Sequence, residues 1–229
     1  PIYGDNKNNR IEGTQGNDIV YGLGGNDTLV GKGGTDYLYG GKGNDTYIVD
    51  SGVNYAYEAV GEGKDTVKSS IHFTLAANLE VLILTGNADI NGAGNDGANT
   101  IKGNAGDNRI TGGLGKDSLT GGKGADTFVF LAVADSVVKA KGRDTIEDFN
   151  RKQGDKIDLA AIDADMLLAD DQAFSFIGKG KFSKDAGELR HEKSGKDTLL
   201  MGDIDGDGKA DFTILFDGKI NFKEADFLL

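Results

Sequence analysis

Four consecutive copies of a nine-residue unit rich in glycine and aspartate occupy residues 13–48. The unit is G-G-x-G-x-D-x-U-x, where U is a large apolar residue, and glycine stands at positions 1 and 4 of all four copies. Position 6 holds Asp18, Asp27, Asp36 and Asp45, and position 8 holds Val20, Leu29, Leu38 and Tyr47. A fixed period of this kind predicts a repetitive architecture in which every unit forms the same short structure.

Each unit combines a glycine-rich turn with a short apolar strand. Glycine adopts positive φ without a Cβ penalty, and the x-U-x segment forms a very short strand whose middle side chain points to one side. When alternate units stack on the same side, every U side chain enters one narrow core. The sequence therefore predicts an all-β fold, a parallel β-roll. A flexible linker is the alternative, but a linker would not repeat an apolar residue at a fixed offset.

Stacking of alternate units brings the position-6 carboxylates together in pairs. Asp18 faces Asp36 and Asp27 faces Asp45, and like charges at contact distance repel one another strongly. Carboxylates together with the inward carbonyls of a glycine-rich turn are the ligands that Ca²⁺ prefers. We therefore predict several bound calcium ions, without which the stack is unstable.

A degenerate copy, GDNKNNRIE, extends this run at residues 4–12 and places Asn9 at position 6. The pair Asn9/Asp27 adds a further predicted site, and it should be the weakest because Asn supplies an oxygen but no charge. The turn glycines predicted to complete the sites of this run are Gly22, Gly24, Gly31, Gly33 and Gly40.

The nonapeptide is lost at about residues 49–86. Alternating polar and apolar residues predict one strand within 65–75, and the apolar run at 79–86 predicts a second. We interpret this segment as an antiparallel β-strand insertion that flanks the roll. His72 lies within the strand pattern, which favours a surface residue over a metal ligand.

The repeat returns at residues 94–129 with asparagine in half of the copies. Position 6 holds Asn99, Asn108, Asp117 and Asp126, and the turn glycines predicted to contribute are Gly112 and Gly121. Two interpretations stay open for the pairs Asn99/Asp117 and Asn108/Asp126. They form weaker metal sites, or the asparagine turns close by hydrogen bonding without metal.

Residues 131–229 form a second, β-rich module by composition, while residues 1–130 form the roll with its insertion. Strands are predicted at 173–177, 188–191, 198–201 and 212–216, and a short helix at 159–164. A solenoid needs a cap over its exposed core, and we assign this role to the second module.

Charge and composition exclude several classes of function. The formal net charge of −12 argues against nucleic acid and anionic membranes as partners. No apolar run is long enough for membrane insertion, and we expect no N-terminal signal peptide. The chain contains no cysteine, so metal is the expected stabiliser of an extracellular fold. Because the chain starts at Pro1, we expect a fragment of a longer protein.

These repeats resemble those of the RTX proteins, which are exported by type I secretion in Gram-negative bacteria. The segments GGKGADTFVF, DTIEDFNRKQGDKIDLAAIDAD and GDIDGDGKADFTI, with the ending EADFLL, resemble the C-terminal domain of serralysin metalloproteases. The resemblance implies a calcium-loaded RTX nonapeptide solenoid and an uncleaved secretion signal at residues 224–229, which the type I machinery recognises. It also implies a calcium site at Asp148 and Asp155, with Asp144 nearby.

The chemistry of a serralysin protease is missing from this chain. Its zinc motif H-E-x-x-H needs a histidine four residues after the first, but His191-Glu192 is followed by Gly195 at that place. There is no G-x-S-x-G motif and no cysteine nucleophile. We predict that the chain itself is not an enzyme and that an attached upstream domain carries any reaction.

A short acidic loop at residues 203–211 has aspartates at the first, third, fifth and ninth positions of an EF-hand loop. Its twelfth position is Ile214 instead of a bidentate glutamate. Calcium binding and a simple polar hairpin both stay open for this loop.

Two functions are compatible with these observations. The first is a secreted, non-catalytic module that stays extended during export, folds when it meets extracellular calcium of about 10⁻³ M and stabilises the upstream domain. The alternative is a carbohydrate-binding module for an acidic polysaccharide of the alginate type, carried by an extracellular polysaccharide-modifying enzyme. An acidic protein would bind such a polymer only if bound calcium reversed the local field.

Overall fold

The computed structural model of the chain describes residues 1–50 and 53–229. Within them the regular structure consists of β-strands and two short 3-10 turns, Val133–Asp135 and Glu224–Asp226. No helix in this part of the chain is long and apolar enough to cross a membrane. The predicted all-β class is confirmed.

Two walls of parallel strands enclose the core. The first wall is a long sheet that contains, in spatial order, β2 (Arg10–Glu12), β4 (Thr28–Val30), β6 (Thr46–Val49), β8 (Thr66–Ser69), β10 (Val81–Leu84), β12 (Thr100–Lys102), β14 (Ser118–Thr120) and β16 (Thr145–Ile146). The second wall consists of two sheets. One contains β1 (Ile2–Tyr3), β3 (Ile19–Gly24), β5 (Thr35–Lys42) and β7 (Val53–Tyr57). The other contains β9 (Phe73–Thr74), β11 (Gly92–Ala93), β13 (Arg109–Thr111), β15 (Thr127–Val129), β17 (Lys156–Asp158) and β22 (Phe227–Leu228).

Successive strands alternate between the walls, so one coil of the roll contains two nonapeptides. Thr28 pairs with Thr46, and Thr100 pairs with Ser118, a step of two nonapeptides in each case. The position-8 side chains are buried between the walls in a continuous core: Ile11, Val20, Leu29, Leu38, Tyr47, Ile101, Ile110, Leu119 and Phe128. The predicted parallel β-roll is thereby confirmed.

Where the structure describes the segment 49–86, at residues 49–50 and 53–86, the chain continues the roll, so the prediction of an antiparallel insertion was wrong. Strand β8 pairs in parallel with β6 and with β10, which pairs in parallel with β12. Along this wall Thr46 pairs with Thr66, Thr66 with Val81 and Val81 with Thr100, so two of these coils are longer than two nonapeptides and the middle one is shorter. The roll tolerates these lengths because strand pairing and core burial are kept, while the extra or missing residues fall in the turns. His72 is exposed, as expected.

The C-terminal residues extend the long wall with a mixed sheet. Strand β21 (Phe212–Phe216) pairs in parallel with β16, and β20 (Asp197–Asp203), β19 (Glu188–Ser194) and β18 (Ser175–Gly178) follow in spatial order. The β19–β20 and β20–β21 pairings are antiparallel.

The predicted helix at 159–164 is absent from the described structure. The Leu159 N–H instead donates to the Leu228 carbonyl, at 2.9 Å, beside the pairing of β17 with β22. Leu159, Ile162 and Ala164 are all buried in the core. These residues lie in a turn, and the turn buries apolar side chains at the same spacing as a short helix would.

Candidate metal centres in the turns of the roll

Eight polar side chains form a ladder along one edge of the long sheet, each immediately before a strand. They are Asn9, Asp27, Asp45, Asp65, Glu80, Asn99, Asp117 and Asp144. In six steps of this ladder the backbone N–H of one member donates to the carboxylate of the next, with N···O distances of 2.6 to 2.8 Å. The stacking predicted for the nonapeptide pairs on this edge is therefore confirmed.

The opposite edge of the roll carries the remaining predicted pairs. The Asp18 N–H donates to Asp36 Oδ1 at 3.0 Å, and the Asn108 N–H donates to Asp126 Oδ1 at 2.9 Å. Asp126 in turn donates its N–H to Asp155 Oδ1 at 3.1 Å. Both edges thus use one carboxylate oxygen to join neighbouring coils.

The second oxygen of seven carboxylates is buried and has no hydrogen-bond partner in the described structure. These oxygens are the Oδ2 atoms of Asp27, Asp36, Asp45, Asp65, Asp117, Asp126 and Asp144. The seven residues are at most 2 % exposed. A buried, unpaired polar atom costs about 1–3 kcal/mol, and more when it is charged. A cation placed against these oxygens would remove that cost.

The position-1 glycines lie directly over the unpaired oxygens. A Cβ at Gly22 would lie closer than 3.0 Å to both Asp27 Oδ2 and the Gly40 carbonyl oxygen. A carboxylate oxygen and a carbonyl oxygen therefore converge on one point, which is the donor set of a hard cation such as Ca²⁺. Gly112 likewise lies against Asp117 Oδ2, and Gly121 against Asp126 Oδ2.

Of three other predicted glycines, one lies against an unpaired carboxylate oxygen and two do not. Gly31 also lies against an unpaired oxygen, that of Asp36. Gly24 pairs with Lys42 at the end of β3, and Gly33 lies against Gln15. The contribution of each of the predicted glycines to a metal site stays a prediction.

Burial raises the pKa of the aspartates at both edges of the roll. The pKa of Asp117 and of Asp126 rises to about 7, and that of Asp144 to about 8. The pKa values of Asp27 and Asp36 are also raised by burial. In the metal-free fold these groups resist ionisation, whereas a bound cation would favour the charged carboxylate.

Asp18 is the exception among the repeat aspartates. Its Oδ2 accepts hydrogen bonds from the N–H of Thr14 at 2.5 Å and from the Thr14 hydroxyl at 2.9 Å. These bonds lower the pKa of Asp18. The turn is therefore closed from within, and the unpaired oxygen of the pair belongs to Asp36.

The asparagine turns are closed by hydrogen bonds. Asn99 Oδ1 accepts from the Asn95 N–H at 2.7 Å, while its Nδ2 donates to the Leu79 carbonyl at 3.0 Å. Asn108 makes the equivalent bonds at 2.8 and 2.7 Å, and Asn9 accepts an N–H bond within its own turn. This geometry favours the interpretation in which asparagine turns close without metal.

Residues 3–229 match the model of the protein family Peptidase M10 serralysin C terminal. The chain belongs to this family. Members of the serralysin C-terminal family are non-catalytic β-roll domains of secreted enzymes, which confirms the resemblance inferred from the repeats and the C-terminal segments. No curated protein matches the sequence.

Three solved structures are similar to this serralysin C-terminal domain. The AlgE6R2 subunit of an Azotobacter vinelandii mannuronan C5-epimerase is 26% identical with a TM-score of 0.45, over 72% of this chain and 91% of that one. The AlgE6R3 subunit is 20% identical with a TM-score of 0.34, over 100% and 81%. The extracellular lipase LipA from Serratia marcescens is 18% identical with a TM-score of 0.37, over 99% of this chain and 39% of the lipase.

The last coil of the serralysin C-terminal domain brings the predicted Asp148 and Asp155 to the turn of Gly121. Asp148 accepts the N–H groups of Gly121 and Gly122, both at 2.8 Å. Asp155 Oδ2 accepts the Asn150 N–H at 2.8 Å. Asp144 instead stands on the opposite edge, in the ladder of Asp117. Metal binding by these residues stays a prediction.

The acidic loop 203–211 forms a hairpin between β20 and β21. Asp203, Asp205 and Asp211 each offer one carboxylate oxygen, and these three oxygens lie within 4.8 Å of one another. Asp203 accepts the N–H groups of Gly206 and Gly208 at 2.8 and 2.9 Å, and Asp211 accepts that of Ile204 at 2.8 Å. The hairpin interpretation agrees with this closed geometry, and calcium binding by the loop stays a prediction.

Three carboxylates of the ladder region were missed from the sequence. Asp65 stands in VGEGKDTVK, which lacks only the position-1 glycine of a nonapeptide, so the repeat pattern with one mismatch includes it. Glu80 takes the place of an aspartate in the shortened coil between β8 and β10. Glu58 stands two nonapeptides after Gly40, where the repeat has glycine and predicts no carboxylate, and only the folded chain shows it near Asp45 and Asp65.

Proposed function

We propose that this serralysin C-terminal domain binds several calcium ions in the turns of its roll and that calcium drives its folding after secretion. The ions are held by the carboxylates of the all-Asp run, Asp27, Asp36 and Asp45, and by those of the second run, Asp117 and Asp126. Glycine carbonyls of neighbouring coils complete the ligand sets. The folded roll then stabilises the domain attached upstream of it.

The unpaired carboxylate oxygens carry this proposal. Each is buried, and in the case of Asp27 it faces both a glycine of its own turn and a carbonyl oxygen of the next coil. Water is excluded from these oxygens, and among the described residues no lysine or arginine forms an ion pair with them. A hard cation supplies the missing partner, so its binding free energy becomes folding free energy.

The dependence of folding on calcium is useful during export. A chain whose carboxylates repel one another stays unfolded where calcium is scarce and can pass a secretion channel in extended form. Extracellular calcium of about 10⁻³ M fills sites of the affinity typical of extracellular modules. Membership in the serralysin C-terminal family, whose domains belong to secreted enzymes, agrees with this route.

Circular dichroism of the chain in calcium and in chelator tests the proposal. We expect β-structure with millimolar calcium and its loss in chelator. Replacing Asp27 by Asn removes one charge without changing the side-chain shape, and should raise the calcium midpoint of folding by roughly tenfold. Asp96→Asn is the matched control, because Asp96 is exposed in a turn. A chain that is fully folded in chelator would contradict the proposal.

A further inference from the structure

A cluster of three carboxylates lies where the nonapeptide run ends. Asp45, Glu58 and Asp65 each offer an oxygen within 4.8 Å of the others. Asp45 belongs to the last copy of the run, Asp65 precedes β8, and Glu58 follows β7 on the other wall. The cluster therefore joins the last regular coil to the first irregular one.

Two of the three side chains are buried and aim an unpaired oxygen into the cluster. Asp45 and Asp65 are each 1 % exposed, and their Oδ2 atoms have no hydrogen-bond partner in the described structure. Their Oδ1 atoms are already used, since they accept the N–H groups of Asp27 at 2.6 Å and of Asp45 at 2.7 Å. The Oδ2 atoms are thus free to bind a ligand that the chain itself does not supply.

Glu58 changes the composition of the site relative to the nonapeptide turns. Gly4, Gly22 and Gly40 follow one another at intervals of two nonapeptides, and Glu58 takes the next place in this series. A Cβ at Gly40 would lie closer than 3.0 Å to both Glu58 Oε1 and Asp45 Oδ2. At this coil a carboxylate thus occupies the place where the preceding coil offers a carbonyl oxygen.

The core tyrosine of the same coil contacts this carboxylate. The Tyr47 hydroxyl donates a hydrogen bond to Glu58 and accepts one from the Gly40 N–H at 2.8 Å. Tyr47 is completely buried. It fixes the Glu58 side chain and places an aromatic ring at the edge of the cluster.

We propose that Asp45, Glu58 and Asp65 bind one calcium ion in a three-carboxylate site that fastens the nonapeptide run to the irregular coils. This inference rests on the proposed calcium function and extends it to a turn that the repeat does not define. Burial raises the pKa of Glu58 to about 8 and those of Asp45 and Asp65 to about 6, which agrees with closely spaced carboxylates that lack a counter-ion. With three carboxylate ligands, the site fills before the regular turns.

Terbium luminescence tests this site directly, because Tb³⁺ replaces Ca²⁺ at oxygen ligands and emits when a nearby tyrosine is excited. The chain contains no tryptophan, and its other tyrosines are Tyr3, Tyr21, Tyr37, Tyr39, Tyr55 and Tyr57. Those six lie on the outer face of the roll, in stacked columns. We expect tyrosine-sensitised emission to saturate at about one ion per chain, ahead of the remaining sites.

Two variants and a control separate this site from the others. Tyr47→Phe removes both the sensitising tyrosine and its hydrogen bond to Glu58, and should abolish most of that first emission phase. Glu58→Gln should weaken the first binding step at least about tenfold, since one of three carboxylates is lost. Glu192→Gln removes an equal charge from an exposed position on β19 and should change neither.

The outcomes distinguish this inference from the proposed function. Calcium-dependent folding with identical terbium titrations for the wild type, Tyr47→Phe and Glu58→Gln would overturn the three-carboxylate site alone. A chain folded in chelator that still shows the Tyr47-dependent phase would support the site while contradicting calcium-driven folding.

Discussion

The position-1 glycines show why the repeat permits so little variation. At Gly22 the place of a side chain is occupied from two sides, by a carboxylate of its own turn and by a carbonyl of the next coil. The same atoms are the candidate calcium ligands. A side chain at this position would therefore push the ligands apart.

Replacing Gly22 by Ala should destabilise the calcium-loaded chain by about 1–3 kcal/mol, the usual cost of overpacking a tight site. Calcium affinity should fall as well, because Asp27 and the Gly40 carbonyl must separate. Urea denaturation in calcium measures the first effect, and a calcium titration the second. Gly16→Ala is the matched control, since its Cβ would lie 3.7 Å from its nearest neighbour, the Thr14 hydroxyl. Equal losses for the two variants would refute the crowding argument.

Among the strands, the outer face of the N-terminal wall carries a column of stacked aromatic rings. Tyr3, Tyr21, Tyr39 and Tyr57 lie one above another with ring centroids 5.0 to 5.2 Å apart and planes within 18° of parallel. The ring faces cover one another and leave their edges to solvent. A sugar ring, which binds tyrosine through the face, therefore gains little here, and this geometry gives no support to the polysaccharide alternative.

The tyrosine column should contribute to stability through its interior member. Tyr39 stacks on both Tyr21 and Tyr57, and each such pair is worth about 0.5–1.5 kcal/mol beyond burial. Tyr39→Ala should therefore lower the unfolding free energy by about 1–3 kcal/mol. Tyr3→Ala, at the end of the column with one stacking partner, should cost roughly half as much. Thermal unfolding in calcium gives both values, and a larger loss for Tyr3→Ala would contradict the stacking argument.

The strands and the core could be predicted wherever the nonapeptide or an alternating pattern is intact. The position-8 side chains and the strand Phe212–Phe216 are found as expected. The irregular coils could not be predicted, because their lengths differ from two nonapeptides although their strands keep the same parallel pairing. Local alternation indicates a strand but not its partner. Hence Asp65 could be recognised from a near-repeat, whereas Glu58 depends on a contact between walls.

Across the described molecule, the irregular coils carry the ladder of polar side chains from the first run of repeats to the second. The ladder runs from Asn9 to Asp144 along one edge, and a single hydrophobic core runs beside it. Stability of neighbouring coils is therefore coupled through both features. A charge that is unfavourable in one turn affects the entire roll, so the protonation state of the buried carboxylates should control the stability of the metal-free chain.

In chelator, the chain should be more stable at about pH 5 than at about pH 8. The pKa of Asp117 and Asp126 is about 7 in the fold and that of Asp144 about 8, against an ordinary value of 3.8. The folded state thus binds more protons than the unfolded state in this range, and stability falls as the pH rises through it. His191, whose pKa is lowered by burial, opposes this trend below its ordinary value of 6.5.

The folded fraction in chelator, followed by circular dichroism as the pH is lowered from about 8 to about 5, measures the dependence. Asp117→Asn, which removes one titrating group, should flatten it. A folded fraction that rises with pH in the wild type would refute the argument. In calcium the trend should reverse, because the ion binds only ionised carboxylates and its affinity increases as they lose their protons. The pH at which the two stability curves separate then reports the ionisation of the buried carboxylates themselves.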